Sequence, residues 1–303
     1  MSVTSRDASG TAWSEFPARA GAWLRNPWAR ARFLWVIAIV YIAWTLLPVV
    51  IAVLFSFNGG RSLTAWQGFS TQWYAGNVSS VLDDPELRSA LLQSFKLAGL
   101  TVLIAVPLGV AFAVALDRWR GRGAGAANFV MLFSFITPEI AIGVALFLFF
   151  TQLVAGIGTG FVAQVLGLSM FMMAYPVIVV RARLLSIGKE YEEAARDLGA
   201  SPLGALRRVL LPLLAPAILA SVAIVFAASI DNFVISQQLS SGADTQTIPI
   251  LIYSAARRGP LPSVNALASV TMFTSTFVIA LALLFYRRRA AGQRREDLTG
   301  VSI

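Results

Sequence analysis

Six apolar segments, each about 20 residues or longer, constrain this chain more than any other feature. They run roughly from Phe33 to Phe57, Leu91 to Leu116, Phe129 to Val154, Phe161 to Val180, Leu213 to Ile235 and Ala266 to Tyr286. Each reaches the ~20 residues that carry an α-helix across the hydrocarbon core of a bilayer. The chain as a whole is 57% hydrophobic and only 13% charged over 303 residues, which sets it apart from ordinary soluble domains. The expected fold is an all-α integral membrane protein with six transmembrane helices.

Arginine and lysine placement orients these spans, because basic residues are retained on the cytoplasmic side. Arg6, Arg19, Arg25, Arg30 and Arg32 precede the first span, and Arg287, Arg288, Arg289, Arg294 and Arg295 follow the last. Both termini are therefore expected in the cytoplasm. The same rule places Arg118, Arg120 and Arg122 after the second span there, and likewise Arg181, Arg183, Lys189, Arg196, Arg207 and Arg208 after the fourth. The opposite side holds only Arg61, Arg88, Arg257 and Arg258, with Lys96 near the start of the second span. The domain plan is an N-terminal cytoplasmic tail over 1–32, a six-helix membrane domain over 33–288 and a C-terminal cytoplasmic tail over 289–303. The tail is no cleavable signal peptide, since the apolar run from Phe33 begins too late and is too long; Trp23 and Trp28 are placed at the membrane surface.

The net charge of +9 is then a product of membrane topology rather than a nucleic-acid footprint. The chain has no cysteine and no histidine, so disulfides and the usual zinc or haem ligands are excluded and no metal site is expected. Gly188-Lys189 is no phosphate loop, because Glu190 follows it and Arg183 stands where the first glycine is needed. Gly156, Gly158 and Gly160 read as a turn between the third and fourth spans. Asp84, Pro85 and Glu86 read as a helix cap and first turn leading into the second span. The run Ile248-Pro249-Ile250-Leu251-Ile252-Tyr253 reads as a re-entrant or surface helix.

Between the fourth and fifth spans lies a charged interruption, Glu190 to Pro212. Glu190, Glu192 and Glu193 suit the positive end of a helix dipole, and Gly199 suits a left-handed stop. Ser201 and Pro202 signal a second helix start, and Pro212 and Pro216 a bend into the next span. From local pattern alone this is either a helical docking elbow or a solvated loop. The order Glu193-Ala194-Ala195, three residues, Gly199, nine residues, then Val209-Leu210-Leu211-Pro212 resembles the EAA loop of bacterial ABC importer permeases, with Val209 in place of isoleucine. That resemblance implies the type I importer permease fold, with this elbow as a cytoplasmic coupling helix between helices 4 and 5. It further implies that Glu193, Ala194, Ala195, Gly199, Leu211 and Pro212 dock a separate ATPase subunit.

Two carboxylates fall inside expected spans, Glu139 in the third and Asp231 in the fifth. A charge in hydrocarbon costs several kcal/mol, so such residues usually face a polar cavity or a partner. Glu139, Asp231 and the neighbouring Asn232 are the candidates for a translocation path. Each acid has a second reading, at a span end in water or in a structural pair with a partner subunit. Pro138 beside Glu139 frees a backbone carbonyl and can break the helix there, as transporters do near binding sites.

A wider similarity runs from about residue 33 to 288. Ser56-Phe57-Asn58, Trp66-Gln67-Gly68-Phe69, Trp73-Tyr74, Asp231 to Ser236 and Val264 to Ala268 resemble the second permease of spermidine/putrescine ABC importers. Those importers tend to carry a second acid where Asn232 stands. The resemblance implies a polyamine permease of the bacterial cell membrane that forms half of the path and is not itself an enzyme. Its implied partners are an ABC ATPase subunit dimer, a second permease, an extracytoplasmic substrate-binding protein and the lipid bilayer, with no nucleic acid. No cofactor is expected on this chain, ATP and magnesium being bound by the ATPase. Ferric iron, an opine, thiamine or an anion are the alternative cargoes, and a secondary transporter or channel is the alternative class.

Overall fold

The computed structural model describes residues 32–119, 121, 123–154, 156–259 and 261–299. The expected N-terminal tail, including Trp23 and Trp28, lies outside these apart from Arg32, as do Arg120, Arg122 and residues 300–303. The chain divides into two units, Met1–Leu54 and Phe55–Ile303. The first contains most of α1 (Arg32–Phe55). Its apolar side chains are exposed along its length, from Leu34 to Leu54, which is the surface a lipid-embedded helix needs. Thr45 hides its hydroxyl by donating to the Tyr41 and Ile42 carbonyls at 3.0 Å each.

In the second unit α2 (Pro85–Arg118) begins as its sequence predicts, with the Asp84 carboxylate accepting from the Glu86 and Leu87 amides at 2.8 and 3.4 Å. It is followed by α3 (Ala124–Ile136), then α4 (Glu139–Leu148), which ends in a π turn over Phe149–Leu153. Gly156, Gly158 and Gly160 all take positive φ in the turn that follows. Next come α5 (Phe161–Met172) and α6 (Ala174–Ile187), one 27-residue run interrupted at Met173. Pro176, which cannot donate to the Met172 carbonyl, accounts for that interruption. The elbow is α7 (Glu190–Asp197) and α8 (Pro202–Ala205), and the latter runs through a π turn over Leu206–Leu210 into α9 (Leu211–Ile230). Short α10 (Val234–Gln238), α11 (Ile248–Arg258) and long α12 (Pro262–Thr299) complete the order.

Among the described residues five helices are long and apolar enough to cross a membrane: Leu34–Phe55, Pro85–Arg118, Phe161–Ile187, Pro202–Ile230 and Pro262–Leu284. The third expected span differs, being two pieces joined at Thr137 and Pro138. Thr137 is held extended at ψ 130° by the following proline, while its hydroxyl donates to the Phe133 carbonyl at 2.7 Å and closes α3. The fifth span also differs from its expected extent, since α9 stops at Ile230 and the apolar run continues as the separate α10. At the other end of α9, Pro212 makes no break. A π turn lies just before it, and helical structure continues through Pro212 and Pro216 into the membrane segment.

The main core is formed where α2, the α5–α6 pair and α9 pack together, with Leu97, Leu168, Val177, Val180, Leu214 and Val225 inaccessible to solvent. Lipid tails are as apolar as leucine, so such helices associate through close packing rather than through release of water. Gly109 of α2 shows how close: a β-carbon there would lie 2.8 Å from the Met173 carbonyl oxygen and 2.5 Å from Pro176 Cγ. A second cluster joins the 58–84 loop to the starts of α2 and α12 and to α11, through Trp73, Val81, Leu87, Ile248, Leu251 and Leu267. The loop is pinned by Asn58, whose amide donates to the Ser62 and Ala65 carbonyls, whose Oδ1 accepts from the Gln67 amide, and whose carbonyl accepts from Trp73 Nε1 at 2.6 Å. The expected helix at Ile248 is α11, anchored by its buried Ile248, Ile250 and Leu251.

Candidate functional site

Two places in the fold concentrate chemistry. The first is the elbow. Glu190, Glu192 and Glu193 crowd the first turn of α7, where their charges face the positive helix end. Gly199 closes α7 at φ +86°, with its amide donating to the Arg196 carbonyl at 2.8 Å, a backbone state that a β-carbon disfavours. Ser201 then caps α8 by accepting from the Gly204 amide at 3.1 Å. Glu193, Ala194 and Gly199 are exposed at this tip, and Ala195 is half-buried. Leu198 and Leu203 beside them are 91% and 70% exposed, so the tip presents largely open apolar side chains. Leu211 and Pro212 stand apart from this knob, in the first turn of α9, with Leu211 packed on the main core.

One fixture of the elbow was not legible from the motif. Glu192 forms an ion pair with Arg118 at the end of α2, and Arg118 also contacts Asp117. The sequence marks Arg118 only as a topology charge. The fold turns it into a strap between the second membrane helix and the elbow.

The second place is where two interrupted helices meet. Glu139 opens α4 just after the Pro138 break, and Asn232 lies in the break between α9 and α10. The Asn232 carboxamide donates to Glu139 Oε1, while its Oδ1 accepts from the Ser236 amide at 3.2 Å and the Ser236 hydroxyl at 3.3 Å. A side chain that bonds the backbone four residues ahead competes with the helical ladder, which explains why α9 stops here. Asn232 and Ser236 are buried and Glu139 half-buried, so the bond forms in a site largely closed to water.

Asp231 goes elsewhere. Although adjacent to Asn232, it is exposed and lines a separate groove of about 620 Å³ with Phe233, Ile252, Tyr253, Thr271 and Ser275, between α9, α11 and α12. The Phe233 and Tyr253 rings lie 4.8 Å apart on its wall, and the Arg257 guanidinium lies over the Tyr253 ring at 4.7 Å. The structure thus brings Glu139 and Asn232 together and gives Asp231 a different outlook. Among the described residues no cluster of three or more acidic side chains has the spacing to hold a metal ion.

Comparisons with known proteins bear on both places. The chain is 32% identical over 282 residues to the putrescine transport system permease protein PotI of Escherichia coli, covering 91% of this chain and 96% of the relative. It is also 32% identical over 250 residues to the spermidine/putrescine transport system permease protein PotC of Haemophilus influenzae, covering 82% and 94%. In fold it is similar to a subunit of a bacterial ABC transporter involved in the import of alginate, with a TM-score of 0.66 at 16% identity over 88% of this chain and 98% of that one. A chain of an amino acid ABC transporter matches with a TM-score of 0.53 at 24% identity, over 71% of this chain and 99% of that one. Residues 105–291, which include the elbow and both interrupted helices, match the family described as binding-protein-dependent transport system inner membrane component, and the chain belongs to that family of multi-pass ABC transport permeases.

Proposed function

We propose that this chain is a membrane subunit of an ATP-driven importer of polyamines. The observation that carries the reading is Glu139, a carboxylate held by a single amide where two broken helices meet inside the membrane domain. A polyamine is a flexible polycation, and a carboxylate positioned through one oxygen by a neutral amide keeps its second oxygen for a charge-assisted bond to an ammonium group. The names of the relatives, putrescine and spermidine/putrescine permeases, support the same cargo class. Asp231 adds a second carboxylate on a wall containing two aromatic rings, a surface suited to alkylammonium groups.

In this reading the elbow docks the ATPase through Glu193, Ala194, Ala195 and Gly199, with Leu211 and Pro212 setting its base. A second permease supplies the other half of the path, and an extracytoplasmic binding protein delivers the cargo. Arginine placement supports a cytoplasmic side for both termini and for the elbow, where ATP is available. Hydrolysis belongs to the ATPase pair. This chain performs no covalent chemistry and converts closure of that pair into a shift between inward-open and outward-open states, by differential binding energy.

The test is uptake of labelled putrescine and spermidine by vesicles containing the complete complex, beside calorimetry of the cognate binding protein with each amine. Saturable, ATP-dependent uptake that fails in Glu139→Ala while the complex still assembles supports the reading. Binding of iron, an opine, thiamine or an anion in place of both amines would sink the cargo assignment.

A further inference from the structure

Gln164 lies in α5, one turn from its start, and is completely buried. Its Nε2 donates two bonds, to the Ser236 carbonyl at 2.9 Å and the Thr245 carbonyl at 3.0 Å. Its Oε1 accepts from Gln93 of α2 at 3.4 Å. The two carbonyls come from different pieces of the 231–247 segment: one from α10, too short to satisfy its own last carbonyls, the other from the 3-10 turn Ala243–Thr245. A single amide group therefore replaces the helical turn that this segment lacks.

The surroundings leave little room for another arrangement. A β-carbon on Gly167, one turn further along α5, would lie 2.6 Å from Leu239 Cδ1, and the Gly160 amide donates to the Leu239 carbonyl at 2.8 Å. The segment fastened in this way carries Asn232, whose Oδ1 is set by Ser236, the residue whose carbonyl Gln164 holds. We infer that Gln164 is a positioning residue that orients the Asn232 carboxamide toward Glu139 by tying α10 and the 243–245 turn to α5, with Gln93 fixing its own orientation. The inference rests on the proposed role of Glu139 and Asn232 in transport, but its structural content does not depend on the cargo.

The experiment pairs Gln164→Leu, similar in volume and unable to donate, with Asn232→Ala and the double variant, all in the complete complex in lipid nanodiscs. Hydrogen exchange is read first, without cargo. Orphaning two buried carbonyls should speed exchange of peptides within 231–247 by about tenfold, leaving 174–187 unchanged. Uptake is read second. Gln164→Leu should raise KM by about tenfold with Vmax per assembled complex unchanged, and Asn232→Ala should add less than about twofold to it, because both act on one group. Unchanged exchange over 231–247, a fall in Vmax without a change in KM, or full multiplication of the two effects would each overturn the inference. Should Gln164→Leu fail to accumulate, Gln93→Ala keeps Gln164 in place while freeing its orientation. That variant should give the same pattern at smaller size, and wild-type exchange and KM in it would overturn the inference as well. A complex that takes up no polyamine refutes the cargo assignment alone, and the exchange result then decides the role of Gln164.

Discussion

Replacing Asn232 by aspartate tests the site most directly, because it changes one donor into one charge at constant size. In the wild-type chain the carboxamide donates to Glu139, a bond to a charged group worth about 1.5–3 kcal/mol. Asn232→Asp removes that bond and places two carboxylates within hydrogen-bond reach. At ~4 Å and an effective dielectric of ~20 their repulsion is about 4 kcal/mol, an upper bound because rotamer changes and water relieve part of it. Asn232→Ala loses the bond without adding the repulsion. Thermal unfolding of the purified complex without cargo should therefore rank wild type above Asn232→Ala and Asn232→Asp lowest. Added putrescine should reverse part of that order. An ammonium group between two carboxylates relieves the repulsion, so the diamine should stabilise Asn232→Asp more than wild type and Asn232→Ala least. The reasoning is refuted if Asn232→Asp is as stable as wild type without cargo, or if putrescine stabilises the two equally.

Gly199→Val should cost about 1–2 kcal/mol of local strain, because valine resists φ +86°; no atom lies near enough to clash, so the damage should appear as lost cargo-stimulated ATP hydrolysis rather than lost assembly. Glu192→Gln should loosen the elbow, seen as weakened retention of the ATPase in pull-down, with the gap from wild type narrowing as salt screens the wild-type pair, while Glu190→Gln, which leaves that pair intact, should behave as wild type. Gly109→Leu should abolish accumulation of the folded chain, because its β-carbon meets the Met173 backbone and the Pro176 ring; near-normal yields would mean that α2 and α6 are looser than they stand. Asp83, whose carboxyl is held below the usual value by the Ser80 hydroxyl and then the Gly76 amide, contributes to loop order above its unfolded value of 3.8 and loses that contribution as pH falls through the lowered folded one. Exchange of the 76–84 amides should accordingly rise below about pH 4, and Asp83→Asn should remove the dependence.

The spans were legible in the sequence because lipid leaves the backbone few choices, and the elbow because its caps are local: Gly199, Ser201 and Pro202 act on their own neighbours. Helix interruptions were legible in proportion to how local their cause is. Pro138 announces the break before α4 through its missing donor, whereas the break at Asp231 arises from an Asn232 side chain competing for the Ser236 amide, which no apolar count registers. At Pro212 helical structure continues after a π turn, which has no sequence mark of its own. Pairings across the fold were not legible at all. Nothing in the local pattern links Arg118 to Glu192, or Gln164 to carbonyls more than 70 residues away. A glutamine in an otherwise apolar segment was the available signal for the latter.

The Arg118 strap gives α2 a particular mechanical standing. With 34 residues at about 1.5 Å each, α2 is roughly 51 Å long, more than the ~30 Å of a hydrocarbon core. Its last residue is clamped to the elbow through Glu192, and near its first turns Ser94 accepts from the Ile248 amide at 2.8 Å while Gln93 meets Gln164. One continuous helix, with Pro107 in its interior, thus has one end on the part that would feel the motor and the other on the parts that hold the Asn232 segment and α11. A tilt imposed at the elbow has a covalent path to the far face along this one helix, like a lever with a joint at Pro107, where the missing backbone donor leaves a point of give.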